Sequence, residues 1–257
     1  MNYVEQAREA RKAVLRMIYK AQTSHIGSNF SCIDLLAVLF DKMHPEQDKF
    51  ICSKGWVAAS VYYFLAQKGI ILKEDLERYC APDEREYIGL IEPRGKFGLE
   101  FAGGSMGYGL PAGVGYALTK KQKGECGHVY VLMSDGEMQI GTTWESAMIA
   151  AHHELTNLTV IVDYNGFQAM GRVHDILSLG DLHQKWKSFG WLAHTVNGHK
   201  YSHINGALLL RASHMPTIIL AETTKGKGVS FMEDNNTFHY KAPSESEYNR
   251  ALAKLNG

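Results

Sequence analysis

The polar–apolar pattern splits the chain into a helical lead-in and a later stretch where strands and helices alternate. Over 3–22, Val4, Ala7, Ala10, Val14, Met17 and Ile18 recur near one helical face. A second helix fits 31–41, with Ser31 as a candidate N-cap ahead of Asp34. "KFICS" (49–53) reads as a short strand, and helical periodicity resumes at 56–68. Turn residues crowd 81–107, in "APDERE", "EPRGKFG" and "AGGSMG", before a helix over about 109–122. Strands then fit 128–133, 158–163, 191–196 and 217–221. Helices fit between them at 142–154, about 181–189 and 202–213, with a last one after Ser244. Apolar strands alternating with helices predict an α/β fold, a mostly parallel sheet with helices on both faces. Without internal repeat or low-complexity linker, residues 1–257 read as one domain.

Composition narrows the function classes. Of 257 residues, 27 are basic and 27 acidic, so no basic field favours nucleic acid. The amphipathic N-terminus lacks the apolar block and cleavage site of a signal peptide, and no segment reads as a membrane span. Cys32, Cys52, Cys80 and Cys126 form no CxxC pair, which points to a reducing, cytoplasmic setting and against structural zinc.

Ligands of such sheets bind beyond the carboxyl ends of the strands. Asp135 follows one strand and Asp163–Asn165 the next, so neighbouring strands would bring both to one crevice. Two independent turns, Asp-Gly and Asn-Gly, remain the simpler alternative. Asn165 lies 30 positions after Asp135, a helix plus a strand. "SDG", 27 residues and "YNG" are similar to the thiamine diphosphate fingerprint, usually written GDG followed by NN. A diphosphate needs a divalent cation, and Mg²⁺ takes hard oxygen ligands. Asp135 would supply a carboxylate, Asn165 an amide oxygen and Phe167 a carbonyl, with Gly136 permitting close backbone approach.

The stretch "SDGEMQIGTTWESAMIAAHHELTNLTVIVDYNGFQAMG" resembles the cofactor segment of transketolases. "SHIGSNFSCIDLLAVLF", "DKFICSKG", "GLEFAGGSMGYGLPAGVGYAL" and "TTKGKGVSFMEDNNTFHYKAP" resemble four further transketolase segments, in the family's order. The resemblance implies a thiamine diphosphate-binding fold and a thiamine diphosphate-dependent transferase of ketol or acyl units. A full transketolase continues into pyrimidine-binding and C-terminal domains, whereas this chain ends at Gly257. The implied protein is the N-terminal subunit of a split transketolase, needing a partner chain, most simply as an α2β2 heterotetramer. Substrates would be small ketoses, 2-oxoacids or aldehydes.

The resemblance also implies roles. His25 matches an early active-site histidine, and His239 one near the diphosphate and the reacting centre. Without the family context each reads as a surface loop histidine. Gly104 and Met106 match the loop that contacts the aminopyrimidine; read alone, Gly107-x-Gly109-x-x-Ala112 is a weak nucleotide fingerprint. Thr142-x-x-Glu145 reads as a capping box opening a helix with Trp144, Ala147, Met148 and Ala151 on its apolar face. The family also places an interfacial glutamate at position 145. His152 and His153, adjacent on a helix, point apart. Lys225 and Lys227 either approach the phosphates or sit in a solvated loop.

Three positions depart from the family. Trp56 stands where histidine usually follows "SKG", "GLIEP" (89–93) lacks the family's "GHP" histidine, and Ile140 replaces a glutamate. Fewer polar contacts, near Trp56 and Ile91, imply a non-standard substrate in a specialised pathway. Two alternatives stay open: the α subunit of a 2-oxoacid decarboxylase or dehydrogenase, and a catalytically silent assembly partner.

Overall fold

The computed structural model describes residues 2–257. Five strands, β1 (Lys49–Cys52), β2 (Val129–Ser134), β3 (Leu158–Tyr164), β4 (Leu192–Asn197) and β5 (Thr217–Glu222), form one all-parallel sheet in the order β1-β2-β3-β5-β4. Successive side chains leave opposite faces, so each strand feeds two cores. Phe50, Cys52, Leu132 and Ile161 pack under α1 (Tyr3–Ala21), α2 (Ile26–Lys42), α3 (Ala58–Gln67), α8 (Tyr201–Leu209) and α9 (Glu245–Asn256). Ile51, Val131, Val160 and Leu220 pack under α4 (Gly109–Lys123), α5 (Gly141–His152) and α7 (Leu182–Ser188). A single turn, α6 (Val173–Ile176), lies between β3 and α7. The expected α/β sheet with helices on both faces is therefore present. Among the described residues no helix is long and apolar enough to cross a membrane, and the four cysteines are unpaired.

Three local expectations are corrected. Helix α2 starts five residues before Ser31, with His25 as N-cap. Ser31 instead donates to the Ser28 carbonyl (2.9 Å) and to Asp163 (2.5 Å). Val4 is exposed at the start of α1, whose buried face holds Ala7, Ala10, Val14 and Ile18. The Thr142–Glu145 capping box does not form. Ile140 caps α5 without a side-chain bond, Thr142 donates to the Gly107 carbonyl (2.8 Å), and Glu145 and Met148 are exposed. The reciprocal box occurs eight residues earlier, between Ser134 and Glu137, at the start of the 3-10 turn Asp135–Gln139.

The register puts Ser134 beside Asp163, so the carboxyl ends of β2 and β3 stop level. Each chain continues into a loop at that edge. This is how residues 30 positions apart come to share one crevice.

Candidate active site

A cavity of about 240 Å³ opens at this edge. Its walls include His25, Lys54, Trp56, Gly104, Met106, Asp135, Gly136, Asn165, Phe167, Gln168 and His239. Every site residue expected from the sequence thus lines one space. Asp135 and Asn165, 30 positions apart in the chain, face the same cavity.

Asp135 is 1 % exposed, yet no cation pairs with it among the described residues. Its two oxygens accept the N–H groups of Gly136 (2.8 Å) and Gly166 (2.6 Å). Burial raises its carboxyl to about 7, against the lowering effect of the Gly166 N–H. Asn165 Oδ1 accepts the Phe167 N–H (3.0 Å), and its Nδ2 faces Asp163 Oδ2 (3.3 Å) and Ser31 Oγ (3.4 Å). Nδ2 faces acceptors, so Oδ1 is left for the cavity side. The Phe167 carbonyl accepts no hydrogen bond from the described residues. An uncompensated carboxylate, an amide oxygen and a free carbonyl form a hard oxygen set that fits a divalent cation. A Cβ at Gly136 would press on the flexible side chain of Gln168 at 3.3 Å, so any larger residue would crowd this cavity wall.

Two lysines shape the field, and the sequence did not single out the first. Lys54 is fully buried and paired with Asp163, which also accepts from Thr223. Burial favours the neutral amine, but Asp163, Cys32 and Asp135 together outweigh it and raise the Lys54 pKa. Lys225, far from solvated, is fully buried. Its Nζ reaches Asn236 Oδ1 (2.7 Å), His239 Nδ1 (2.8 Å) and the Gln168 carbonyl (3.5 Å). Burial and the Lys54 charge lower it to about 8. Lys227 pairs instead with Glu233 (3.5 Å).

The two histidines sit 4.9 Å apart, ring centre to ring centre. His25 holds a left-handed backbone conformation (φ 69°), an uncommon one away from glycine. Its N–H donates to the His239 carbonyl (2.8 Å), and its Nδ1 contacts Ser24 Oγ (2.6 Å). Asn29 donates to the His25 and Trp56 carbonyls (2.9 and 3.4 Å), so one amide ties the two backbone segments together. Burial, with Lys54 and Lys225 nearby, lowers His25 to about 4. Burial and Lys225 lower His239 to about 3. Both rings are neutral at physiological pH.

Glu137 was missed, although Ser134-x-x-Glu137 carries the spacing of a capping box. It is fully buried and accepts from Ser53, the Gly107 N–H (3.2 Å) and the Ser134 N–H (2.8 Å). It ties the end of β2 to the glycine run of Gly104 and Met106. That run enters α4 from a loop rather than a strand, so it lacks the βα turn of a dinucleotide fingerprint. Leu90, not Ile91, lies beside Gly104: Ile91 is fully buried, and its carbonyl accepts the Gly103 N–H (3.0 Å). His152 and His153 close α5 and do not line the cavity.

A further network holds the loop that carries Lys225. Asp34 accepts from Arg11 (2.7 and 3.1 Å), His199 Nδ1 (2.7 Å) and Tyr201 (2.8 Å). His199 Nε2 then accepts the Thr224 N–H (2.8 Å), and Arg11 Nε donates to the Lys227 carbonyl (2.8 Å). Burial would raise Asp34, but His199 and Arg11 hold it down to about 2.

Residues 4–255 match the family model described as transketolase, thiamine diphosphate binding domain. The chain is 33 % identical, over 255 residues, to an apulose-4-phosphate transketolase subunit of Actinobacillus succinogenes, covering 95 % of this chain and 92 % of that one. It is also 33 % identical to a 6-deoxy-6-sulfo-D-fructose transketolase subunit of a Clostridium species, covering 97 % and 94 %. The crystal structure of Campylobacter jejuni transketolase superposes with a TM-score of 0.91 at 26 % identity, covering all of this chain and 43 % of that one. The chain belongs to the transketolase family, as a thiamine diphosphate-binding N-terminal subunit of a split transketolase-like transferase.

Proposed function

We propose that this subunit serves a cytoplasmic transketolase-like enzyme whose substrates are not the usual pentose phosphates. Residues 1–257 act as the diphosphate-binding domain. A partner chain carries the pyrimidine and C-terminal domains, in an α2β2 assembly. The observation that carries the reading is the convergence of Asp135, Asn165 and the Phe167 carbonyl with His25 and His239 around one cavity. Asp135, Asn165 and Phe167 would hold Mg²⁺ or another divalent cation. Gly136 would admit the diphosphate, and Gly104 and Met106 would face the aminopyrimidine. When bound, the cofactor supplies a nucleophilic carbon for the transferred ketol or acyl unit. His25 and His239, neutral and side by side, would orient substrate oxygens, and His25 would handle protons there.

Trp56 supports the unusual substrate. It lines the cavity with its ring 6.5 Å from that of His25. Indole has one donor and no acceptor, so it offers a hydroxylated sugar less than histidine does. Two relatives named for apulose-4-phosphate and 6-deoxy-6-sulfo-D-fructose point the same way.

The test is ketol transfer by the chain co-purified with its partner, in thiamine diphosphate and Mg²⁺. Ketose phosphates of these unusual classes and pyruvate are compared with xylulose 5-phosphate plus ribose 5-phosphate. The complex should turn over, the chain alone should not, and the standard pair should be poor. Ordinary efficiency on the standard pair, or robust turnover by the chain alone, overturns the reading.

A further inference from the structure

We propose that Lys225 is a positioning residue that holds His239 as the neutral tautomer with its proton on Nε2, so that the ring offers the cavity a donor. The argument rests on three contacts around one buried nitrogen. The Gln168 carbonyl, 3.5 Å from Nζ, can only accept. Asn236 Nδ2 donates to the Ala169 carbonyl (2.9 Å), which leaves Oδ1 as the acceptor 2.7 Å from Nζ. An ammonium group has three donors and no acceptor. Its third N–H therefore points at His239 Nδ1, 2.8 Å away, and uses that nitrogen's lone pair. In a neutral ring the proton must then sit on Nε2.

Nε2 meets no hydrogen-bonding partner among the described residues, and the ring lines the cavity. A ligand there meets an N–H. The matching chemistry is an anionic oxygen, a phosphate oxygen or an alkoxide, and the ring cannot serve as a base through that nitrogen. Lys225 cannot easily swing away. Its loop is fastened on one side by the Thr224 N–H to His199 and on the other by Arg11 to the Lys227 carbonyl, with His199 and Arg11 both seated on Asp34. The use made of that donor rests on the transketolase reading; the tautomer itself does not.

Histidine-selective ¹⁵N labelling of the full chain tests it. Couplings between ring nitrogens and ring protons distinguish the tautomers, with His239→Gln assigning the signals. The wild-type ring should carry its proton on Nε2. Lys225→Met should give a mixture of tautomers, and Lys225→Arg should keep the Nε2–H form. A wild-type proton on Nδ1, or an unchanged tautomer in Lys225→Met, overturns the proposal. The wild-type spectrum needs no substitution, so misfolding of a variant cannot shield it. In the assembled enzyme Lys225→Met should lower kcat about tenfold, as loss of a histidine's supporting partner does, and Lys225→Arg should restore most of it. An unchanged kcat overturns the catalytic use of the donor. If the wild-type complex transfers no ketol unit, the transketolase reading fails, while the spectrum still decides the tautomer.

Discussion

Asp135→Asn should change how the stability of the metal-free chain depends on pH. The carboxyl ionises near 3.8 in an unfolded chain and at about 7 in the fold, because it is buried with only two N–H partners. Below 3.8 both states are protonated, and the group costs folding nothing. Between 3.8 and 7 the unfolded chain gives up its proton while the folded chain keeps it, so stability falls as pH rises. Above 7 both states are ionised and the loss levels off. One pH unit corresponds to about 1.4 kcal/mol, so the three-unit gap is worth about 4 kcal/mol.

Asparagine cannot titrate, so the variant lacks this slope. Its amide does carry a penalty of its own. Both carboxylate oxygens accept N–H groups, and an NH₂ in place of either faces a donor, at about 1–3 kcal/mol. That penalty does not vary with pH. The quantity to measure is therefore the difference in unfolding free energy between wild type and Asp135→Asn, from urea titrations in chelator at pH 4 to 8. Groups that do not feel the Asp135 charge cancel. The difference should move by about 4 kcal/mol in favour of the variant across that range. Parallel curves would refute the account of Asp135 as a buried carboxylate without a cationic partner.

Three further outcomes follow from the same structure. Asp163→Asn strands the Lys54 charge in the core and should cost about 3–5 kcal/mol in urea unfolding, and adding Lys54→Met to it should recover part of that loss by removing the stranded charge; a loss below about 1 kcal/mol would show that the pair is not held as described. Trp56→His in the assembled enzyme should raise kcat/KM for xylulose 5-phosphate roughly tenfold, within the reach of one pocket contact; an unchanged value removes Trp56 as a specificity determinant. Ser244→Ala breaks the capping box with Glu247 at the start of α9 and should cost about 1 kcal/mol, measured by urea unfolding, with ketol transfer unaffected.

The strands were legible because each is an apolar run closed by turn residues, and all five lie within a residue or two of their expected bounds. Their spatial order was not legible. Placing β5 between β3 and β4 depends on packing that leaves no local mark. The start of α2 failed for a related reason. Fifteen of its seventeen residues are buried, so no polar face shows where the helix begins. Within the site, Asp135 and Asn165 were legible through spacing and His25 and His239 through resemblance. Lys54 was not, because what keeps it charged in the interior is Asp163, 109 positions away. Lys225 was open between the phosphates and a solvated loop, and the structure buries it against Asn236 and His239. Glu137 differs, since its signal was in plain view. "SDGE" carries both Asp135, the proposed metal ligand, and the Ser-x-x-Glu spacing of a capping box. Four residues thus do two jobs, directing Asp135 at the cavity and fastening the glycine run that forms its opposite wall. Loosening Glu137 should therefore disturb the cavity without touching any oxygen of the proposed metal set.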